Sequence, residues 1–116
     1  MAVLRIVPDL QCSDPQALAA FYADVFDMNT VMDGGFIVTM ATGAQQGTQL
    51  SLASEGGSDT DLPAISIEVD DLQPPLDRLE DKGVLPVYGP VDEPWGVRRF
   101  YFKDTAGHLI NVLMHM

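Results

Sequence analysis

The 116-residue chain repeats its own local pattern, and that repeat limits its possible folds more than any other feature. Ser13-Asp14 stands before one helical pattern. Asp70-Asp71 stands before a second, 57 residues later (71 − 14). Each pattern is preceded by one alternating strand and followed by further short ones. The order reads βαβββ, then βαβββ.

In the first half, 4–12 alternates as a strand. Leu4, Ile6, Leu10 and Cys12 share one face with Pro8, while Arg5, Val7, Asp9 and Gln11 share the other. Pro8 removes a ladder donor, which places it on an edge strand or at a bulge. Ser13-Asp14-Pro15 starts a helix: a capping oxygen, then a proline whose missing N–H costs nothing. Ala17, Leu18, Phe21, Tyr22 and Val25 recur at helical spacing, predicting a helix over 15–27 with this stripe as core. Asp33-Gly34-Gly35 is a turn. Strands are expected at 36–41 and 48–53, joined by a Gly/Gln loop at 42–47. In the second of these, Gln49 and Ser51 share a face.

EGGSDTD, 55–61, has linker composition and falls near the middle of the chain. The pattern then restarts. In 64–70, Ile65, Ile67 and Val69 face one way; Ala64, Ser66, Glu68 and Asp70 face the other. A helix is predicted over 72–82, with Pro74 and Pro75 in its first turn, Leu72, Leu76 and Leu79 as its buried stripe, and Gly83 closing it. A strand is expected at 84–88 and a loop at 89–96 holding Trp95. A hairpin follows: 98–103, the turn Asp104-Thr105-Ala106-Gly107, and 109–114. In its last strand Leu109, Asn111 and Leu113 point one way, and Ile110, Val112 and Met114 the other. An amide amid apolar neighbours is exposed, paired, or facing a cavity.

The expected architecture is therefore α+β: one domain, 1–116, built from two modules at about 1–55 and 62–116. One helix covers only one sheet face per module, so the other face must be buried or enclose something. Two modules side by side would make a curved sheet with a cup-shaped cavity. The cup face would carry Val7, Asp9, Gln11, Gln49 and Ser51 from the first half. From the second it would carry Ala64, Ser66, Glu68, Arg99, Tyr101 and Asn111. A mixed polar and apolar hollow suits a small ligand held by a few oriented hydrogen bonds.

Bulk properties narrow the function classes. The chain is 47% apolar, enough for a core, and no run of ~18 apolar residues predicts a membrane helix. MAVLRIVPDL has no basic region followed by a long apolar one, so no signal peptide is expected. A single cysteine, Cys12, leaves no internal disulfide and fits a reducing cytoplasm. The net charge of −11 disfavours nucleic acid and favours a cationic partner, or serves solubility alone.

SDPQALAAFYADVFDM in the first half and PWGVRRFYFKDTAGHLINVL in the second, with the duplication itself, resemble the vicinal oxygen chelate superfamily. This is the glyoxalase, bleomycin-resistance and ring-cleaving dioxygenase group. The resemblance spans nearly the whole chain and implies the cupped fold; it says little of chemistry, because the scaffold hosts many reactions. Enzymes of the group hold a divalent metal with a His on the first strand of each half and a Glu or similar residue on the last. Those positions are here Val7, Ala64, Gln49 and Asn111. Valine and alanine have no lone pair, and neutral amides are weak partners for such ions. His108 and His115 lie at odd spacing and read as hairpin and tail surface. Asp9 and Glu68 alone are too few donors for a carboxylate site. No metal or other cofactor is therefore expected.

The candidate ligand-binding residues are Asp9, Gln49, Glu68, Trp95, Arg99, Tyr101 and Asn111. Trp95 suits stacking on a planar or cationic group, or a plain core or dimer contact. Arg99 suits a ligand carboxylate or an internal pair with Asp9 or Glu68. Tyr101 is a hydroxyl donor or core filler. Asn111 and Gln49 can hydrogen-bond each other or water across the cup. No nucleophile arrangement stands out: Cys12 reads as apolar filler and no serine sits in a nucleophile elbow.

The resemblance implies a metal-free small-molecule binding protein, like the group's drug-sequestering, antibiotic-resistance members, which are homodimers. It would sequester a cationic or aromatic compound without catalysis and without membrane or nucleic-acid partners. The alternative is a metalloenzyme of the same fold, a lyase, isomerase or dioxygenase with an unrecognised ligand set. A third reading is a structural or regulatory dimer with a vestigial cup.

Overall fold

A computed structural model describes residues 1–26, 28–43 and 49–116. Its elements, in order, are β1 (Val3–Gln11), α1 (Pro15–Phe26), β2 (Asn29–Asp33), β3 (Ile37–Ala41), β4 (Gln49–Ala53), β5 (Ile65–Val69), α2 (Gln73–Asp81), β6 (Tyr88–Asp92), β7 (Val97–Lys103) and β8 (Leu109–His115). The class is α+β, and the order is βαβββ twice. The chain folds as two compact units: a C-terminal unit of Met1–Ile6 with Pro63–Met116, and an N-terminal unit of Val7–Leu62. β1 contributes its first half to one and its second half to the other.

In the C-terminal unit the strand order is β1-β5-β8-β7-β6. β5 and β8 run parallel; β8, β7 and β6 are antiparallel neighbours. Side-chain alternation sorts two faces. One carries Val69, Phe100, Ile110 and Val112, which form the core together with Leu72, Leu76 and Leu79 of the α2 segment. The other carries Ser66, Glu68, Arg99, Tyr101 and Asn111. Asp71 Oδ1 accepts from the Gln73 N–H, and prolines fill the first turn of α2, where a donor is not needed. Gly83, at φ +75°, ends it with its N–H on Glu80 O, while the Val84 N–H reaches Leu79 O.

In the N-terminal unit the order is β2-β3-β4-β1. β3 and β4 are antiparallel and β1 joins β4 in parallel. Asp14 caps α1, its Oδ1 accepting the Ala17 N–H, with Pro15 at the first helical position. The buried stripe of α1 is turned relative to the expected one. Ala19, with Leu18, Tyr22 and Ala23, packs on Val38, Met40 and Leu52, while Ala17 and Phe21 are exposed. Both stripes have helical spacing; the small Ala19 side chain is the one seated against the sheet. The expected Val25 contact, the helix end at Asp27, Thr48 and the loop residues 44–47 lie outside the described residues.

Two further features differ from the sequence reading. β2 forms just before the Asp33-Gly34-Gly35 turn, in a stretch whose own composition marked no strand. The last unit's first hairpin strand lies at Tyr88–Asp92, not 84–88. Tyr88, Val91 and Asp92 pair with Tyr101, Arg99 and Arg98, with a register shift that accommodates Pro90, whereas Leu85 and Val87 stay exposed. Pairing partners overrode the apolar content of 84–88. Leu4 and Ile6, which share the apolar face of β1, are 56% and 57% exposed.

Candidate functional site

The polar face of the C-terminal unit is laid out by strand register. One row crosses β5-β8-β7-β6 as Ser66, Asn111, Tyr101 and Tyr88. The next row is Glu68, Leu113, Arg99 and Val91. β6 and β7 are joined by a tight turn at 93–96. Glu93 N–H donates to Val97 O, the Gly96 N–H donates back to Glu93 O, and Gly96 takes φ +91°. Glu93 follows Val91 by two residues, so it emerges on the Arg99 face.

Arg99 is the centre of this face. Its Nη2 donates to Glu93 Oε2 at 2.9 Å, with the side chains only 5% and 3% exposed. Tyr88 donates its hydroxyl to the other carboxylate oxygen, Glu93 Oε1, at 2.8 Å. The guanidinium carbon lies 4.8 Å from the Tyr101 ring centre, 4.9 Å from that of Trp95 and 5.4 Å from that of Tyr88. Tyr88 and Tyr101 also touch each other, with centroids 5.0 Å apart. A buried charge is tolerated here because it is paired, and because three aromatic faces replace part of its lost hydration. Gly89 makes the arrangement possible. A Cβ there would lie 2.5 Å from Arg99 O, so only glycine lets β6 run this close to β7.

Beside the aromatic cluster, Asn111 donates its amide N–H to Ser66 Oγ at 3.1 Å. Its Oδ1 is buried and has no hydrogen-bond partner among the described residues. A buried acceptor left unused costs free energy, and such atoms concentrate where a ligand supplies the donor. In the second row Glu68 accepts from Arg5 and from His115, at 3.0 Å for the latter. Burial pushes the Glu68 carboxyl up, but the His115 and Arg5 hydrogen bonds outweigh it and hold the group below its ordinary value. Glu68 is thus committed to internal pairs.

Five expected residues, Glu68, Trp95, Arg99, Tyr101 and Asn111, are therefore brought onto one face, with Glu68 in the row of Arg99 and separated from it by Leu113. Arg99 takes an internal partner, Glu93, that the sequence reading did not name. Glu93 and Tyr88 were missed. A hairpin turn placed at 93–96 is the signal that finds Glu93; reading 89–96 as loop hid it. Asp9 and Gln49 belong to the N-terminal unit. There Asp9 pairs in register with Ser51 and Gln49 with Ala41, and the Thr39 and Ser51 hydroxyls bond at 2.8 Å.

A metal does not fit the donors present. Of the four expected ligand positions, Val7 and Ala64 offer no lone pair, and Asn111 directs its N–H₂ to Ser66. His108 and His115 are exposed and engaged with Asp104 and Glu68.

The family model described as the glyoxalase/bleomycin resistance protein/dioxygenase superfamily matches residues 3–112. No curated protein sequence matches the chain. Solved structures do. A Streptomyces coelicolor methylmalonyl-CoA epimerase variant in complex with 2-nitronate-propionyl-CoA is 17% identical, with a TM-score of 0.73 over 98% of this chain and 96% of its own. A Legionella pneumophila protein described as an NAD-dependent benzaldehyde dehydrogenase is 14% identical, with a TM-score of 0.73 over 97% of this chain and 100% of its own. A glyoxalase/bleomycin resistance protein/dioxygenase superfamily member from Vibrio splendidus 12B01 is 16% identical, with a TM-score of 0.62 over 97% and 98%. At these identities the likeness concerns the fold. With the family model spanning nearly the whole chain, the protein belongs to the glyoxalase/bleomycin resistance protein/dioxygenase superfamily.

Proposed function

We propose that the protein is a metal-free binder of a small organic molecule, held on the polar face of the C-terminal unit. The observation that carries this reading is the buried, unused Asn111 Oδ1 beside the aromatic cluster of Tyr88, Trp95 and Tyr101. The Arg99–Glu93 pair neutralises itself, so it holds the rings in place and leaves the ligand no net charge to match. The fitting guest is an aromatic compound with one N–H or O–H donor directed at Asn111. A protonated amine is favoured further by the net charge of −11. The fold neighbour that holds a propionyl-CoA analogue supports an organic guest on this scaffold. Sequestration rather than turnover, in a cytoplasmic homodimer, completes the proposal; the exposed Leu4 and Ile6 are apolar surface that a second copy would cover.

The test is calorimetric titration of the purified protein with aromatic amines and their N,N-dialkylated and deaminated analogues. Binding that weakens when the donor is removed supports the reading; a panel without saturable binding contradicts it. Metal analysis runs beside it, and stoichiometric Zn, Ni, Mn or Fe would overturn the metal-free part. A monomeric mass by light scattering at micromolar concentration would overturn the dimer.

A further inference from the structure

On the opposite face of the C-terminal unit, between α2 and the sheet, lies an apolar cavity of about 250 Å³. Its wall includes Val3, Ile67, Val69, Leu79, Phe102 and Val112. It exists because α2 is seated shallowly: none of the residues within the helix is fully buried. Among the described residues lining it, Arg78 and Lys82 carry the charged side chains; the lining surface is wholly apolar, so they line it with their alkyl stems while their charged ends stand outside it. They stand one helical turn apart, next to Leu79, and both are exposed.

Those two cations are unusual in this chain. Of six Lys and Arg residues, Arg5, Arg98 and Arg99 are in ion pairs, which leaves three. Two of the three line this cavity. Neither is in an ion pair among the described residues, although Asp77, Glu80 and Asp81 share the helix; Asp77 accepts from Gln73 instead.

From the apolar wall and the paired cations we infer a second ligand site, for a medium-chain carboxylate. The alkyl chain lies in the cavity, and its carboxylate, left outside the apolar lining, takes the exposed Arg78 guanidinium and Lys82 ammonium. The volume sets the length. A dry cavity of about 150 Å³ takes a benzene, and a water-sized group fills ~30 Å³ of liquid, so 250 Å³ holds roughly eight heavy atoms. An eight-carbon acid, with its two carboxylate oxygens left outside the cavity, is the matched probe. Acids elsewhere on the surface, beyond about 8 Å, are screened at physiological salt; Asp77, Glu80 and Asp81 on the same helix are close enough to oppose the ligand's charge.

The test is calorimetric titration with octanoate, octanol and octylammonium. Wild type is expected to bind octanoate about tenfold more tightly than octanol, and octylammonium least. The R78E/K82E variant changes only exposed helix positions, and its fold is checked by circular dichroism. It should reverse the order and prefer octylammonium. Amide shifts in the NMR spectrum on octanoate addition should fall on α2 and β5 and spare the Trp95 indole. Equal binding of octanoate and octanol, an order unchanged in R78E/K82E, or no saturable uptake, as when a second copy fills the cavity, overturns the inference.

Discussion

The two units solve the same layout with different chemistry. Both run a polar row across the face turned from their helix, over topologically matched strands: Asp9, Ser51 and Thr39 in one, Glu68, Leu113 and Arg99 in the other. In the N-terminal unit the third strand carries Thr39, whose hydroxyl is satisfied by Ser51. In the C-terminal unit the same place carries a guanidinium, buried with Glu93 and enclosed by three rings. In the N-terminal unit a neutral hydroxyl pair occupies the buried centre of the row. A buried ion pair adds desolvation cost that the fold does not require. The charged, aromatic version is the one on which the proposed site is built.

That contrast breaks most visibly at Glu93. Glu93→Ala removes a carboxylate held 2.9 Å from the buried Arg99 guanidinium and should cost about 3–5 kcal/mol in urea unfolding. The double variant E93L/R99M should recover most of that loss, since apolar replacement of a buried pair is often near neutral. Thr39→Val, the matched change in the other unit, strands only the Ser51 hydroxyl and should cost about 1–3 kcal/mol. Equal losses at the two positions would erase the distinction between the units.

Trp95→Ala removes one of the three rings around Arg99. It should cost about 1 kcal/mol of stability by the same measurement. The smallest effect concerns Glu68. Its folded-state carboxyl is held below the ordinary value, so its stabilising contribution is present above the unfolded-state range and is lost as pH falls through the folded one. The deficit of Glu68→Gln relative to wild type should be full near neutrality and shrink on acidification. A deficit that grows in acid would contradict the assignment.

Much of the fold was legible because the signals were local. Asp14-Pro15 and the Pro74-Pro75 pair mark helix starts, Gly83 marks an end, and alternation sorts 64–70 and 109–114 into faces. The turned stripe of α1 was not legible, because Ala19 and Phe21 both sit at helical spacing and only the sheet decides which is buried. β6 was misplaced because Pro90 and Gly89 look like breakers in isolation. Their tolerance comes from a register shift against β7. The same displacement hid Glu93 and Tyr88. Arg99, Tyr101 and Asn111 could be placed on one face because period-two alternation alone sorts them so.

A guest donor at Asn111 sits next to Tyr101, in the ring cluster that Trp95 shares around Arg99, so the emission of the single tryptophan should report it. Titrating wild type and Asn111→Leu with the same aromatic amine should give a saturable change in Trp95 emission for wild type. The variant, unchanged in its free spectrum, should respond only at roughly tenfold or higher concentration. Identical curves for the two proteins, or a flat response from wild type across the panel, would contradict the account.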